Sequence, residues 1–303
     1  MLVNSPTKPL KSVAEFLQFV QGVRDTWSKV SIRPLKDTEE LWFRGENSSY
    51  VAPLVPRIYR NADGGCSKGK VLKLLEAENQ YCEEFKKWAF QFCANPPEDD
   101  WEWYFLMQHH NVPTRLLDWS DGALIALHFA VYRNQNIKGN PRVYILDPTW
   151  LDEYLDRKKS YAEVTRKWRS VYRSDQYLRH EWERTYLYDD TAGWKRTPLP
   201  DVPLVLDFYN TTRRIAAQRS RFVLLGTQCN WLTTMLKQIG ARLTYVDFDH
   251  GYLPEIEQQL TDAGITESVI FPDMDGVGRE IEQHWKSWNE GPSIKRRKRR
   301  TRR

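Results

Sequence analysis

Apolar residues recur at steps of three and four from residue 12 to 29. Val13, Phe16, Leu17, Val20, Val23 and Trp27 share one face, and that spacing predicts a helix. Ser12 and Glu15 read as a capping box at its start. The same period predicts a long helix over 70–93, with Leu72, Leu75, Cys82, Phe85, Ala89 and Phe92 turned inward. A second helix is predicted over 99–110, carrying Trp101, Trp103, Tyr104, Phe105 and Met107. Short apolar runs read as strands at 40–45, 114–119, 142–147, 203–208, 221–225, 242–248 and 269–271. Shorter helices are predicted at 213–220, 231–239 and 253–263, and Pro272 opens a last one reaching to about 288. Pro53 and Pro56 mark a loop over 50–60, Gly64-Gly65 a turn, and 209–212 a cap-rich loop. Residues 150–190 are charged, aromatic and almost free of glycine and proline, which predicts a helical insertion. No internal repeat is visible.

The chain is organised around 108–121 and its continuation to 131. Pro113 interrupts the preceding helix and forces Val112 towards extended geometry. Leu116 and Leu117 then form a strand flanked by Arg115 and Asp118. Residues 123–131 are apolar on nearly every side except at His128, the pattern of a buried helix. Ser120 or Asp121 stands where its N-cap belongs. Arg115, Asp118, Ser120 and two histidines thus surround a helix N-terminus, a place that can hold an anion. The bland alternative is a buried ion pair of Arg115 with Asp118 that fixes a loop, with Ser120 and Asp121 serving only as caps.

Length and composition narrow this picture. A chain of 303 residues with 41% apolar content and 13 tryptophans forms one large domain or two ordinary ones. The expected division is an N-terminal helical segment over 1–37, a main domain over 38–290 and a disordered basic tail over 291–303. There is no apolar run long enough for a transmembrane helix and no signal-peptide pattern. Cys66, Cys82, Cys93 and Cys229 show no CxxC spacing, which argues against a zinc site and a disulfide scaffold and fits a reducing cytoplasm. The net charge of +5 resides in the tail: residues 295–303 hold eight of the 45 basic residues, leaving 37 basic against 40 acidic residues elsewhere. The body is therefore no basic nucleic-acid clamp, whereas the tail is a polycation suited to phosphate.

Three polar clusters fall at strand ends: Arg44, then Arg115, Asp118 and Ser120, then Arg214, Gln218 and Ser220. Arg44 presents a planar fork of donors suited to phosphate or carboxylate, and Gly45 would let a ligand approach the backbone. Arg44 paired with Glu46 or Asp118 is the structural alternative. No G-x-S-x-G, H-E-x-x-H or P-loop is present. His109 and His110 are adjacent and would point about 100° apart on a helix, so they do not chelate one metal together.

Leu41-Trp42-Phe43-Arg44-Gly45, the run from Gln108 to Ser120, Ala126-Leu127-His128-Phe129-Ala130 and the run from Arg214 to Phe222 together resemble the FRG-domain family. That family is named for its Phe-Arg-Gly motif, here Phe43-Arg44-Gly45. The resemblance spans 38–285, with the charged insertion outside it. Its motif order is in turn similar to that of the ADP-ribosyltransferase fold. It implies an α+β class: a mixed split-sheet core of ADP-ribosyltransferase type with several flanking helices. NAD is the implied substrate, without a metal. Arg44 would contact the NAD phosphates or ribose, Ser120 would support the nicotinamide ribose, and Gln218 would sit on the loop that meets the target. Gly45, His110, Arg115 and Arg214 complete the implied NAD-binding set. Gln218-Arg219-Ser220 departs from the transferase pattern, which has Glu where this chain has Ser220. The carboxylate that stabilises positive charge on the ribose then falls to Asp118.

The resemblance suggests a cytoplasmic toxin or phage-defence effector that moves ADP-ribose from NAD onto RNA or protein, RNA favoured, with an antitoxin as partner. Two other readings use the same residues. One is a non-catalytic module binding a nucleotide or phosphorylated ligand through Arg44, Arg115 and Gln218. The other is a nuclease-like or RNA-binding protein working through the basic tail.

Overall fold

The computed structural model describes residues 8–30, 33–50, 52–61, 67–98, 100–132, 139–157, 201–206 and 213–290. The class is α+β, and the six strands β1 (Trp42–Glu46), β2 (Leu116–Ser120), β3 (Arg142–Leu146), β4 (Leu204–Leu206), β5 (Ser220–Leu224) and β6 (Leu243–Asp247) form one sheet. Its order is β4-β5-β2-β1-β3-β6. Every pairing is antiparallel, which corrects the expected mixed sheet.

Ten α-helices flank the sheet among the described residues: α1 (Val13–Ser28), α2 (Val71–Ala89), α3 (Asp100–His109), α4 (Ala123–Val131), α5 (Pro148–Asp156), α6 (Arg213–Ala217), α7 (Trp231–Met235), α8 (Leu253–Asp262), α9 (Glu267–Ile270) and α10 (Met274–Glu290). One layer, from α1, α4 and α8, packs on Phe43, Val143, Ile145 and Val246. The other, from α2, α3, α5 and α7, packs on Trp42, Tyr144 and Leu146. Successive strand residues point to opposite faces, so β1 serves both layers. Phe43 and Gly45 face α4, and Arg44 shares the side of Trp42.

At the start of α1 the Ser12 hydroxyl accepts the Glu15 N–H at 3.2 Å, while the Glu15 carboxylate takes the Lys11 N–H at 2.7 Å in place of that of Ser12. Asn111 closes α3 with a φ of 62°, a left-handed position that asparagine tolerates, and the Val112 N–H returns to the Met107 carbonyl at 3.0 Å.

Several sequence expectations need correction. Residues 269–271 are not a strand: Ile270 and Phe271 donate to the carbonyls of Thr266 and Glu267, one turn of α9. An apolar run of three fits either period. The helix expected over 231–239 stops at Met235, and that expected over 213–220 stops at Ala217. The N-cap of α4 is Gly122 rather than Ser120 or Asp121. Cys229 is disulfide-bonded, whereas Cys82 and Cys93 carry free thiols, so the cysteines do not speak for a reducing compartment. Most of the charged insertion, the Gly64-Gly65 turn, the loop at 209–212 and the basic tail lie outside the described residues. Among the described residues, no helix is long and apolar enough to cross a membrane.

Candidate functional site

The sheet is narrowest at its centre. β1 pairs with β3 over five residues and β2 with β5 over five, but β1 and β2 meet only at Phe43 and Ser120. Beyond that pair the strands part, and a cleft of about 360 Å³ opens between them, closed on one side by α6.

Arg44 spans the gap. One terminal nitrogen of its guanidinium donates to the main-chain carbonyl of Asp118 at 2.7 Å, and Nε donates to Glu46 at 3.3 Å. Both structural alternatives for Arg44 are therefore realised, although the Asp118 carboxylate itself stands 4.0 Å away. That carboxylate accepts from the Gln108 amide at 2.8 Å, and Gln108 is held in turn by the Thr114 hydroxyl. The Asp118 side chain is 54% exposed because it opens into the cleft, yet protein surrounds it on its remaining sides. That crowding raises its pKa above the ordinary carboxylate value, against the pull of Arg44 and Gln108.

Ser120 binds its own loops. Its hydroxyl donates to the Gln218 carbonyl at 2.8 Å and accepts the Gly122 N–H at 3.0 Å. It thereby ties the start of α4 to the segment that follows α6. The Gln218 side-chain amide donates to the Ile270 carbonyl at 3.3 Å, and the residue lines the cleft. Next to it Arg219 adopts a φ of 48°, and Arg219 and Arg221 pair with the Asp121 carboxylate.

Two guanidinium groups lining the cleft make no close ion pair among the described residues, although the charge of Glu46 acts on Arg60 and that of Asp273 on Arg214. Arg60 uses Nε to hold the Val55 carbonyl at 2.8 Å. The Arg214 guanidinium makes no hydrogen bond among the described residues and lies over the Phe271 ring, 4.5 Å from its centre. Burial, then repulsion from Arg44 for Arg60 and from Arg279 for Arg214, lowers the affinity of both for their protons. Burial, with Arg214 adding to it, also pushes the His109 imidazole down to about 4. Glu46 is 5% exposed, and its second carboxylate oxygen is buried without a hydrogen-bond partner. Phe105, Phe129 and Phe222 give the cleft an aromatic wall.

Of the residues expected from sequence, the fold brings Arg44, Gly45, Asp118, Ser120, Arg214 and Gln218 to this one cleft. It does not bring Arg115 or His110. Arg115 is fully buried behind β2, where its Nε meets Glu78 at 2.7 Å and its backbone N–H meets the other oxygen of the same carboxylate at 2.8 Å. The buried pair expected for Arg115 exists, with Glu78 in place of Asp118. His110 packs beside Phe85, and its neighbour His109 faces the cleft instead. Gly45 lines the cleft, but its lack of a side chain serves packing: a Cβ there would lie 1.9 Å from the Ala126 carbonyl oxygen and 2.6 Å from the Ala130 nitrogen. The close approach is that of α4, not of a ligand. Sequence reasoning passed over Arg60, named Glu46 only as a structural partner of Arg44, and gave the site place to His110 although it set both histidines near the start of α4. Glu46 carried a signal, since it lies two residues from Arg44 on the same strand side. Arg60 carried none, sitting in a proline-rich loop without periodicity.

The fold and cleft define an α+β protein with a cationic, aromatic-walled cleft at the opening of an antiparallel sheet. Residues 39–138 match the model of the FRG domain, so the resemblance drawn from the Phe-Arg-Gly motif and the run from Gln108 to Ser120 holds over that stretch. The segment from Arg214 to Phe222 lies beyond the matched residues. No curated protein and no solved structure matches the chain. Among the described residues, no group of three histidine, cysteine, aspartate or glutamate side chains is placed to hold a metal ion.

Proposed function

We propose that the cleft binds a phosphorylated nucleotide, with NAD the ligand suggested by the motif order, and that it transfers ADP-ribose to a macromolecule, RNA before protein, as a toxin or defence effector. The observation that carries the binding half is the pair of guanidinium groups, Arg60 and Arg214, that line the cleft without a close ion pair among the described residues, although Glu46 and Asp273 act on them through their charge. A phosphate supplies the missing charge and acceptor atoms. The aromatic wall suits a base, and the unpartnered oxygen of Glu46 suits a ribose hydroxyl donor. The volume lies in the range of ordinary ligand pockets.

The transfer half rests on Asp118. Breaking the bond between nicotinamide and ribose leaves positive charge on the sugar, and a carboxylate facing it lowers that barrier. Asp118 projects into the cleft within the field of Arg44 and Arg214. Incubation with labelled NAD and RNA or lysate tests this half. Label entering a macromolecule with the parent chain and not with Asp118→Asn supports it.

One observation favours a second reading, a binding module without turnover. Ser120 and Arg44, the residues that the transferase resemblance would put on the nucleotide, already spend their hydrogen bonds on Gln218, Gly122, Asp118 and Glu46. Calorimetry showing ADP-ribose or NAD bound and unchanged, with no label transferred, would establish the module in place of the enzyme.

A further inference from the structure

The last helix carries a surface unrelated to the cleft. Along α10 the side chains of Met274, Val277, Ile281, Trp285 and Trp288 are exposed by 92%, 47%, 62%, 57% and 73%. At the helical turn per residue they fall within an arc of about 80°. The opposite side holds α10 to the body. Gly276 lies so near Phe271 that a Cβ would come within 1.9 Å of its carbonyl oxygen, and Arg279 pairs with the buried Glu267. The apolar stripe therefore points away from the protein.

We propose that this stripe is a two-fold interface at which a second copy of the chain docks its own α10 antiparallel to the first. The five positions follow one another at steps of three, four, four and three, a spacing that reads the same in both directions about Ile281. Antiparallel pairing centred there sets Ile281 on Ile281, Val277 on Trp285 and Met274 on Trp288. Each indole then meets a smaller or more flexible side chain, and methionine against an aromatic ring is a favourable contact. Parallel pairing would set indole on indole and leave valine facing valine. Trp285 and Trp288 already stack on each other at 5.3 Å, presenting their rings as one block.

Size and charge agree with a second copy. The five side chains expose roughly 600 Å² per copy, so the pair buries roughly 1,200 Å², the lower edge for a specific protein interface. A monomer seldom leaves so much contiguous apolar surface in water. The basic run 295–303 begins five residues past Glu290. Antiparallel helices send two such runs to opposite ends, whereas parallel helices would set them side by side in mutual repulsion. A two-fold contact of this kind is self-complementary and closed.

Sedimentation of the full chain at micromolar concentration should give the mass of two chains. Ile281→Lys should give the mass of one with an unchanged circular dichroism spectrum and melt. Orientation is read in a background with Cys82 and Cys93 changed to serine. Mixed Val277→Cys and Trp285→Cys chains should cross-link to each other far more readily than either does to itself. A monomeric parent, a dimer that survives Ile281→Lys, or cross-linking of each variant mainly to itself overturns the proposal. So does a monomer that binds anionic vesicles through Trp285 and Trp288, which would assign the stripe to a lipid surface.

Discussion

The Arg44 guanidinium donates to the main-chain carbonyl of Asp118 at 2.7 Å, across the place where the two central strands stop pairing. A side chain there does what the missing ladder bonds would have done. The strands remain close enough to share a sheet and far enough apart to leave a cleft. Arg44 is 14% exposed, so its hydrogen bonds are only partly screened.

Arg44→Lys keeps the charge and loses the fork that reaches Asp118 and Glu46 together. Loss of a hydrogen bond from a charged donor is expected to lower stability by about 1.5–3 kcal/mol. Denaturant melts of parent and variant measure it. An unchanged midpoint would mean that the strands hold the cleft open without Arg44.

Gly45→Ala tests the neighbouring position. The new methyl group would meet the backbone of α4 at Ala126 and Ala130, and backbone on both sides cannot rotate aside. The loss should reach or exceed about 3 kcal/mol, the upper range for overpacking. The expected readout is a large fall in the urea midpoint or loss of soluble protein. If Gly45 served only ligand approach, the variant would instead fold normally and bind poorly.

Arg115 is expected to matter for folding and not for ligand. Glu78→Gln leaves a buried guanidinium without its counter-charge, a loss of about 3–5 kcal/mol. Glu78→Leu combined with Arg115→Met should recover much of that, because two apolar side chains need no partner. A double-mutant cycle by chemical denaturation gives the coupling. Calorimetry on the doubly changed chain should find nucleotide affinity within a factor of two or so of the parent, about 0.4 kcal/mol.

Much of the fold was legible because burial imposes a period. The buried helix at 123–131 and the strand before it follow from apolar spacing alone. Arg44, Asp118 and Ser120 stood out as polar groups at the ends of apolar strands. What could not be read was partnership across long stretches of chain. Nothing local tells that the partner of Arg115 is Glu78, 37 residues earlier, rather than Asp118, three residues later. The role of Gly45 was misassigned for the same reason, since a close approach is visible in sequence but its visitor is not. Residues 269–271 failed on length: three apolar residues do not distinguish a turn of helix from a strand.

Stability should fall with acid through the histidines. His109 is pushed from 6.5 in the unfolded chain to about 4 in the fold by burial and then by Arg214. Between those values the unfolded chain takes up a proton that the folded chain refuses, so stability decreases as pH drops from 6.5 towards 4 and levels below it. His110, lowered in the same sense, adds to the slope. Glu267 acts in a separate window. Burial alone would raise it, but the His128 imidazole 3.7 Å away and hydrogen bonds from Arg279 and Tyr132 bring it down to about 2, so its contribution is lost only as pH falls from 4.5 towards 2. His109→Gln should therefore flatten the pH dependence of the melt between 4 and 6.5 and leave the more acidic limb in place. A slope unchanged by the substitution would show that His109 titrates normally.

Arg214 separates ligand binding from stability most cleanly. Its guanidinium makes no hydrogen bond or close ion pair among the described residues, and its position over the Phe271 ring contributes about 0.5–1 kcal/mol at a partly open site. Arg214→Gln should thus shift the melt by less than about 1 kcal/mol. Its affinity for ADP-ribose should fall much further, because a charged hydrogen bond to phosphate amounts to about 1.5–3 kcal/mol, roughly a tenfold to hundredfold change in Kd. The two measurements come from one purified variant. A stable chain with undiminished affinity would leave Arg60 and Arg44 as the anion-binding groups and remove Arg214 from the site. A chain that melts far earlier would instead assign the guanidinium to the packing of α6 against α9.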